Sequence, residues 1–180
     1  MKVPGIERGV VKTALGSIFY LMSDGRMSIE DNNKPPILCF HMSPRSSDEF
    51  REVLPLLASP NENDDGRVVI AFDLPGYGSS ENPTRSCTVD DVADACLQAA
   101  DSILLECGND NDDKSSSAKY IVLGSLMGNY HCLSLASRYP ERIESGILIN
   151  TWYNPEAKGM DSTIMDSTIM MVNLYLIRLY

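Results

Sequence analysis

Residues 120–130 read YIVLGSLMGNY: an apolar run, two glycines four apart, then the start of a helical pattern. A buried strand, a Gly-x-x-x-Gly turn and a helix form the frame of G-x-S-x-G, in which a nucleophilic serine tops the turn. The middle position here is Leu126, and the only serine in the frame, Ser125, lies one place early. A leucine side chain has no lone pair to attack with and no proton to give up. A one-residue shift at a strand end turns a side chain to the opposite face. Ser125 is therefore expected to miss the position above the turn and to bond within it.

Outward from this turn, short apolar runs alternate with helical patterns. ILCFH (37–41), RVVIAFD (67–73), KYIVLG (119–124) and ESGILIN (144–150) read as strands buried on both faces. Ahead of them, residues 8–13 and 17–22 are rich in β-formers and flank Leu15-Gly16, which predicts two strands joined by a tight turn. Phe50, Val53, Leu54 and Leu57 recur at helical spacing, with Ser46 or Ser47 as N-cap. Pro55 is expected to end or kink that helix, because it removes a donor and clashes with the preceding turn. Thr88 opens a clear helix with Asp91 three residues on, a capping-box variant. Val89, Val92, Ala93, Cys96, Leu97, Ala100, Ile103 and Leu104 then make one apolar face. MGNYHCLSLASRYP (127–140) predicts another helix, while SPNENDDG (59–66) and GNDNDDKSSSA (108–118) are loops by composition. Apolar strands alternating with amphipathic helices imply a mostly parallel, doubly wound sheet covered on both faces. Sites in such sheets form at the carboxyl ends of strands. His41, Asp73 and Leu126 each fall at such an end.

A chain of 180 residues suits one good core. A formal charge of −10 argues against nucleic acid or an anionic membrane surface as the main partner. The N-terminus MKVPGIERGV lacks the apolar core of a secretory signal, and IMMVNLYLI (169–177) is about half the length of a spanning helix. Five cysteines (Cys39, Cys87, Cys96, Cys107, Cys132) include no C-x-x-C pair, and there are only two histidines. No zinc site and no cofactor are expected, and reduced thiols in a cytoplasmic setting are the default.

Four phrases in order, spanning about residues 8–150, give the chain its family likeness: PPILCFHMSPRSSDEFREVLPLLA (35–58), RVVIAFDLPGYGSS (67–80), YIVLGSLMGNY (120–130) and LSLASRYPERIESGILIN (133–150). With them the chain resembles the α/β-hydrolase superfamily. The resemblance implies a doubly wound, mostly parallel sheet of that type, about six strands of it in this chain, with the C-terminal part missing. It also implies a serine nucleophile, an acid and a histidine in that chain order. Taken residue by residue, the correspondence departs at the site. His41 matches the histidine that opens the family's oxyanion loop, a structural hydrogen-bonder. Met42 stands where the family has glycine, yet its backbone N–H and that of Met127 are expected to face the pocket. Asp73 resembles a turn-fixing acid. His131, the only histidine after Leu126, is expected on a helix side where it packs or faces solvent. No catalytic residue is assigned, the remaining polar candidates being His41, Ser125 and Asp73. Met42, Ser43, Leu126 and Met127 are the binding positions that the resemblance implies.

Residues 1–158 are thus expected to form a partial domain of this type. Residues 159–180 are read as an irregular hydrophobic tail carrying two copies of DSTIM, Asp161–Met165 and Asp166–Met170. Five residues are too short a unit for a repeat architecture, so truncation or a mis-joined sequence is the leading reading of this region. A sheet stopped at its sixth strand presents an apolar edge that the tail covers, as a strand or as a helix, or that a second chain covers instead; poor solubility or self-association of the chain is the expectation. Three functions fit: a hydrolase-like protein without serine catalysis, an enzyme of this fold that uses no serine, or a small-molecule binding or interaction protein. The expected ligand is small and apolar, because Leu126, Met42 and Met127 surround the expected site and Met adapts to varied shapes.

Overall fold

Strands β1 (Glu7–Thr13) and β2 (Gly16–Asp24) form an antiparallel hairpin. Gly16 closes its turn at φ +107°, a conformation that only glycine adopts freely. The structure is a computed structural model that describes residues 5–25, 34–59, 66–107, 118–150 and, as backbone, 174–178. Strands β3 (Ile37–Phe40), β4 (Val68–Phe72), β5 (Tyr120–Ser125) and β6 (Ile143–Ile149) follow, each within a residue or two of an apolar run expected from the sequence. The sheet order is β1-β2-β4-β3-β5-β6-β7. The β4-β3-β5-β6 block is parallel, while β2 runs antiparallel to both β1 and β4. The tail supplies β7 (Leu174–Arg178), which runs antiparallel to β6 with Ile149 opposite Leu174 and Ser145 opposite Arg178. The chain therefore adds a seventh strand to the six expected. Both DSTIM copies and the 158/159 boundary lie outside the described residues.

Burial on both faces explains why the strands read as continuous apolar runs. Leu38, Phe40, Val68, Ile70 and Phe72 join one core cluster, whereas Ile37, Cys39, Val69 and Ala71 join the other. Alternate residues point to opposite faces, so each face receives every second side chain. Helices α2 (Val89–Cys107) and α3 (Gly128–Arg138) cover the first face. A 3-10 turn at Ser47–Phe50 and helix α1 (Leu54–Ala58) cover the second through Phe50, Leu54 and Ala58.

Helix α2 begins as its sequence predicts. Thr88 N–H and Oγ1 both donate to Asp91 Oδ2 at 2.8 Å, and Asp91 N–H returns a bond to Thr88 Oγ1 at 3.1 Å. Reciprocal bonding of this kind satisfies donors that the helix cannot pair internally. Of the expected apolar face, Ala93, Cys96, Leu97, Ala100 and Ile103 are buried, while Val89 at its start is 43% exposed. Arg138 ties α3 back to α2 through Asp94, at 2.9 Å.

The segment before Pro55 departs from expectation. Ser46 does act as an N-cap, accepting from Asp48 N–H, but it caps a single 3-10 turn rather than a long helix. Pro55 falls in the first turn of α1 instead of ending a helix. There its missing N–H has no partner to lose, so the residue that interrupts one helix is compatible with starting the next.

Candidate functional site

Sheet order brings the three strand ends flagged by the sequence side by side. β3 lies between β4 and β5, so His41, Asp73 and Leu126 meet along one rim. Leu126 occupies the turn between β5 and α3 at φ +47°, the left-handed conformation of a nucleophile elbow. For a bulky L-residue that conformation costs about 1–2 kcal/mol, and surrounding contacts have to impose it. Leu126 N–H donates to the Ile149 carbonyl at 3.0 Å, and Asn129 Nδ2 donates to the same oxygen at 3.0 Å. The two glycines of the frame are sterically required. A Cβ on Gly124 would sit 2.6 Å from Asn129 Oδ1, and one on Gly128 would collide with the Phe40 carbonyl. Everything that shapes an elbow is retained, with a hydrocarbon branch at its apex.

Ser125 ends β5, opposite Ile149 of β6, and is 5% exposed. It is the last strand residue beneath the rim, while the next residue alone takes the elbow conformation. Met127 is 54% exposed and precedes the first turn of α3. Tyr130, one helical turn further on, is 45% exposed. Leu126, Met127 and Tyr130 thus place three large apolar side chains at or near the surface around the start of α3.

His41 is fully buried, and both of its ring nitrogens are engaged. Nδ1–H donates to the Met42 carbonyl at 2.8 Å, and Nε2 accepts from Leu74 N–H at 3.0 Å. This pattern assigns a neutral ring with its proton on Nδ1. Burial lowers its pKa, against the Met42 carbonyl and the charges of Asp73 and Glu49. Tyr77 packs edge-on against the ring at 5.3 Å, and its hydroxyl hydrogen-bonds Ser43 Oγ at 3.0 Å.

Asp73 is 2% exposed. Its Oδ1 accepts from Ser47 N–H and its Oδ2 from Ser79 N–H, both at 2.7 Å. Ser80 Oγ donates to its carbonyl at 2.6 Å. A Cβ on Gly78 would strike Oδ2, so the glycine lets the turn close over the carboxylate. The acid holds the loop after β4 against the 3-10 turn.

One expectation fails at Met42. Its N–H does not stand open as an oxyanion donor but donates to Glu49 Oε2 at 3.0 Å. Its carbonyl accepts from His41 Nδ1 and from Arg45 N–H at 2.8 Å, so the whole peptide group is occupied. The 3-10 turn brings Glu49 back over the end of β3, seven residues along the chain. No local pattern announces a contact of that kind. Glu49, Asn129 and Tyr77 are the site residues that sequence reasoning missed.

His131 lies on α3, where its ring stacks on Phe40 with centroids 5.9 Å apart and planes 3° from parallel. Its Nδ1 is buried with no hydrogen-bond partner among the described residues. Burial, with the nearby His41 ring, lowers its pKa to about 4. Cys39, Cys96 and Cys132 are buried free thiols whose pKa values burial pushes up, so none presents a ready thiolate. Among the described residues, no group of three His, Cys, Asp or Glu side chains is placed to hold a metal, and no helix is long and apolar enough to cross a membrane. An open groove between α2 and the start of β6 is lined by Asp94 and Asp101, which already serve Arg138 and Arg142.

The fold and this rim define a class: the chain belongs to the alpha/beta hydrolase fold family, whose model matches residues 35–167. Among curated proteins it is similar to abhydrolase domain-containing protein abhd-5.2 of Caenorhabditis elegans, 36% identical over 86 residues, covering 48% of this chain and 18% of that protein. It is also 29% identical over 90 residues to human 1-acylglycerol-3-phosphate O-acyltransferase ABHD5, covering 50% of this chain and 24% of that protein. The aligned stretch is thus at most about a quarter of either relative's length. Among solved structures, the epoxide hydrolase CorEH superposes with a TM-score of 0.61 at 23% identity, over 82% of this chain and 43% of its own. That likeness concerns the fold.

Proposed function

We propose that this chain is a hydrolase-fold protein that binds a small apolar ligand at its elbow and does not run serine-type catalysis. The observation that carries the reading is Leu126 at φ +47° between two glycines that tolerate no side chain. The elbow is built at a conformational cost, and its apex cannot form an acyl bond. Removing such a nucleophile from a serine hydrolase costs roughly a factor of 2 × 10⁶ in turnover, about 8–9 kcal/mol. Ligation of Met42 N–H by Glu49 supports the reading, because an oxyanion needs that donor free. The full engagement of His41 and Asp73 likewise favours binding over a reaction without serine, which would still need a general base. The apolar ligand class rests on Leu126, half-buried at the apex, and on the exposed Met127 and Tyr130.

The test uses a short-chain aryl ester, a serine-directed phosphonate and the neutral dye Nile red. The wild-type chain is expected to show no phosphonate-sensitive turnover and no covalent adduct by intact mass. It is expected to bind Nile red saturably, with Leu126→Asp weakening that binding at least about tenfold by placing a charge in an apolar contact. Phosphonate-sensitive hydrolysis by wild type refutes the loss of catalysis, and dye binding indifferent to Leu126→Asp refutes the location of the site.

A further inference from the structure

Glu49 does more than close off a vacant donor. Met42 N–H lies at the end of β3, beside the elbow that follows β5, and in a hydrolase-like corner such an amide would meet a ligand's negative oxygen. In this chain the negative oxygen is already present and covalently attached: Glu49 Oε2 sits 3.0 Å from Met42 N. Its backbone is fixed in turn, since Glu49 N–H donates to the Ser46 carbonyl at 3.0 Å within the 3-10 turn. Among the described residues, no cationic side chain bonds to the Met42 peptide. Its other contacts are the His41 ring, held neutral by its two hydrogen bonds, and the Arg45 backbone N–H.

From this arrangement we propose that Glu49 is the specificity determinant of the corner, a built-in carboxylate that makes it accept neutral apolar molecules and reject those with a carboxylate or phosphate head. The inference rests on the apolar-ligand reading above and names the ligand class for that site. An incoming anion must either displace Glu49 from its amide or lie beside its charge. Two carboxylates about 4 Å apart near a protein surface repel each other strongly enough to cost at least about tenfold in affinity, even after screening. A neutral alcohol meets no such penalty, and its hydroxyl finds an acceptor in the same carboxylate.

The experiment displaces Nile red from the full chain with 1-octanol or octanoate, in wild type and in Glu49→Gln. Gln is isosteric and still offers an oxygen to Met42 N–H, so the loop keeps its anchor. Wild type is expected to prefer octanol to octanoate by at least about tenfold beyond the preference of Glu49→Gln. A second readout is salt: raising it from about 20 mM to about 500 mM is expected to improve octanoate binding to wild type by more than it improves binding to Glu49→Gln, which keeps the rest of the chain's negative charge. An alcohol-to-acid ratio that is the same in both proteins, or a wild-type ratio insensitive to salt, overturns the proposal while leaving the apolar-ligand reading intact. Displacement by neither probe in either protein overturns both.

Discussion

His131 should make this protein acid-sensitive in a defined window. Its imidazole is stacked on Phe40 with a buried Nδ1 that has no hydrogen-bond partner among the described residues, and its pKa falls from 6.5 to about 4 because burial disfavours the charged ring. The unfolded chain therefore binds a proton between about pH 6.5 and about pH 4 that the folded chain refuses. Stability rises with pH wherever the unfolded state holds more protons, so acidification through this window favours unfolding, and below it the effect levels off. The shift corresponds to about 1 kcal/mol lost by about pH 5.5 and about 2–3 kcal/mol by about pH 4.5, upper bounds for a ring that water still partly reaches. Carboxylates also titrate toward the acid end, so the informative quantity is the difference between wild type and His131→Leu, which keeps the apolar contact with Phe40. Urea unfolding at about pH 7.5, 5.5 and 4.5 measures it. The variant is expected to lose less stability on acidification, by most of that amount. His41 is present in both proteins, so the effect of its own burial cancels, and its repulsion of a charged His131 ring belongs to the measured difference. Equal pH dependence in wild type and variant would refute the reasoning.

Two further outcomes concern the elbow itself. Gly128→Ala normally strengthens a helix by about 1 kcal/mol, but here the new Cβ meets the Phe40 carbonyl, so a loss of roughly 2 kcal/mol or more is expected in the urea midpoint. Leu126→Asn should be more stable than Leu126→Ala by about 0.5–1 kcal/mol in thermal unfolding, because Asn accepts the left-handed conformation and Ala does not; equal stability would mean that the turn relaxes.

Strands β3, β4 and β5 were legible because each is buried on both faces, which forces unbroken apolar runs, and because polar or glycine-rich segments bound them. Helix α2 was legible at its first residue, since Thr88 and Asp91 satisfy each other locally. The segment from Ser46 to Ala58 was harder to read. Its apolar residues recur at helical spacing, yet they serve a 3-10 turn and a short helix, and the position of Pro55 relative to a helix start depends on where the sheet receives Phe50 and Leu54. The tail could be read only as covering the β6 edge, as a strand or as a helix, because its partner lies more than 20 residues back in the chain; the sheet decides for the strand.

The same division holds at the site. Leu126 between Gly124 and Gly128 declared both an elbow and a missing hydroxyl in five consecutive residues, because the turn is local and its glycines answer to backbone collisions close at hand. His41 and Asp73 could be placed at strand ends by pattern, but only the folded chain shows that every polar atom of their side chains is occupied. The Met42 amide was read as open and proved to be ligated by Glu49. Periodicity and turn chemistry act over a few residues and are written in the order of the chain. Hydrogen bonds from a loop back to a strand end depend on where distant segments arrive in space, and only the packed sheet decides that.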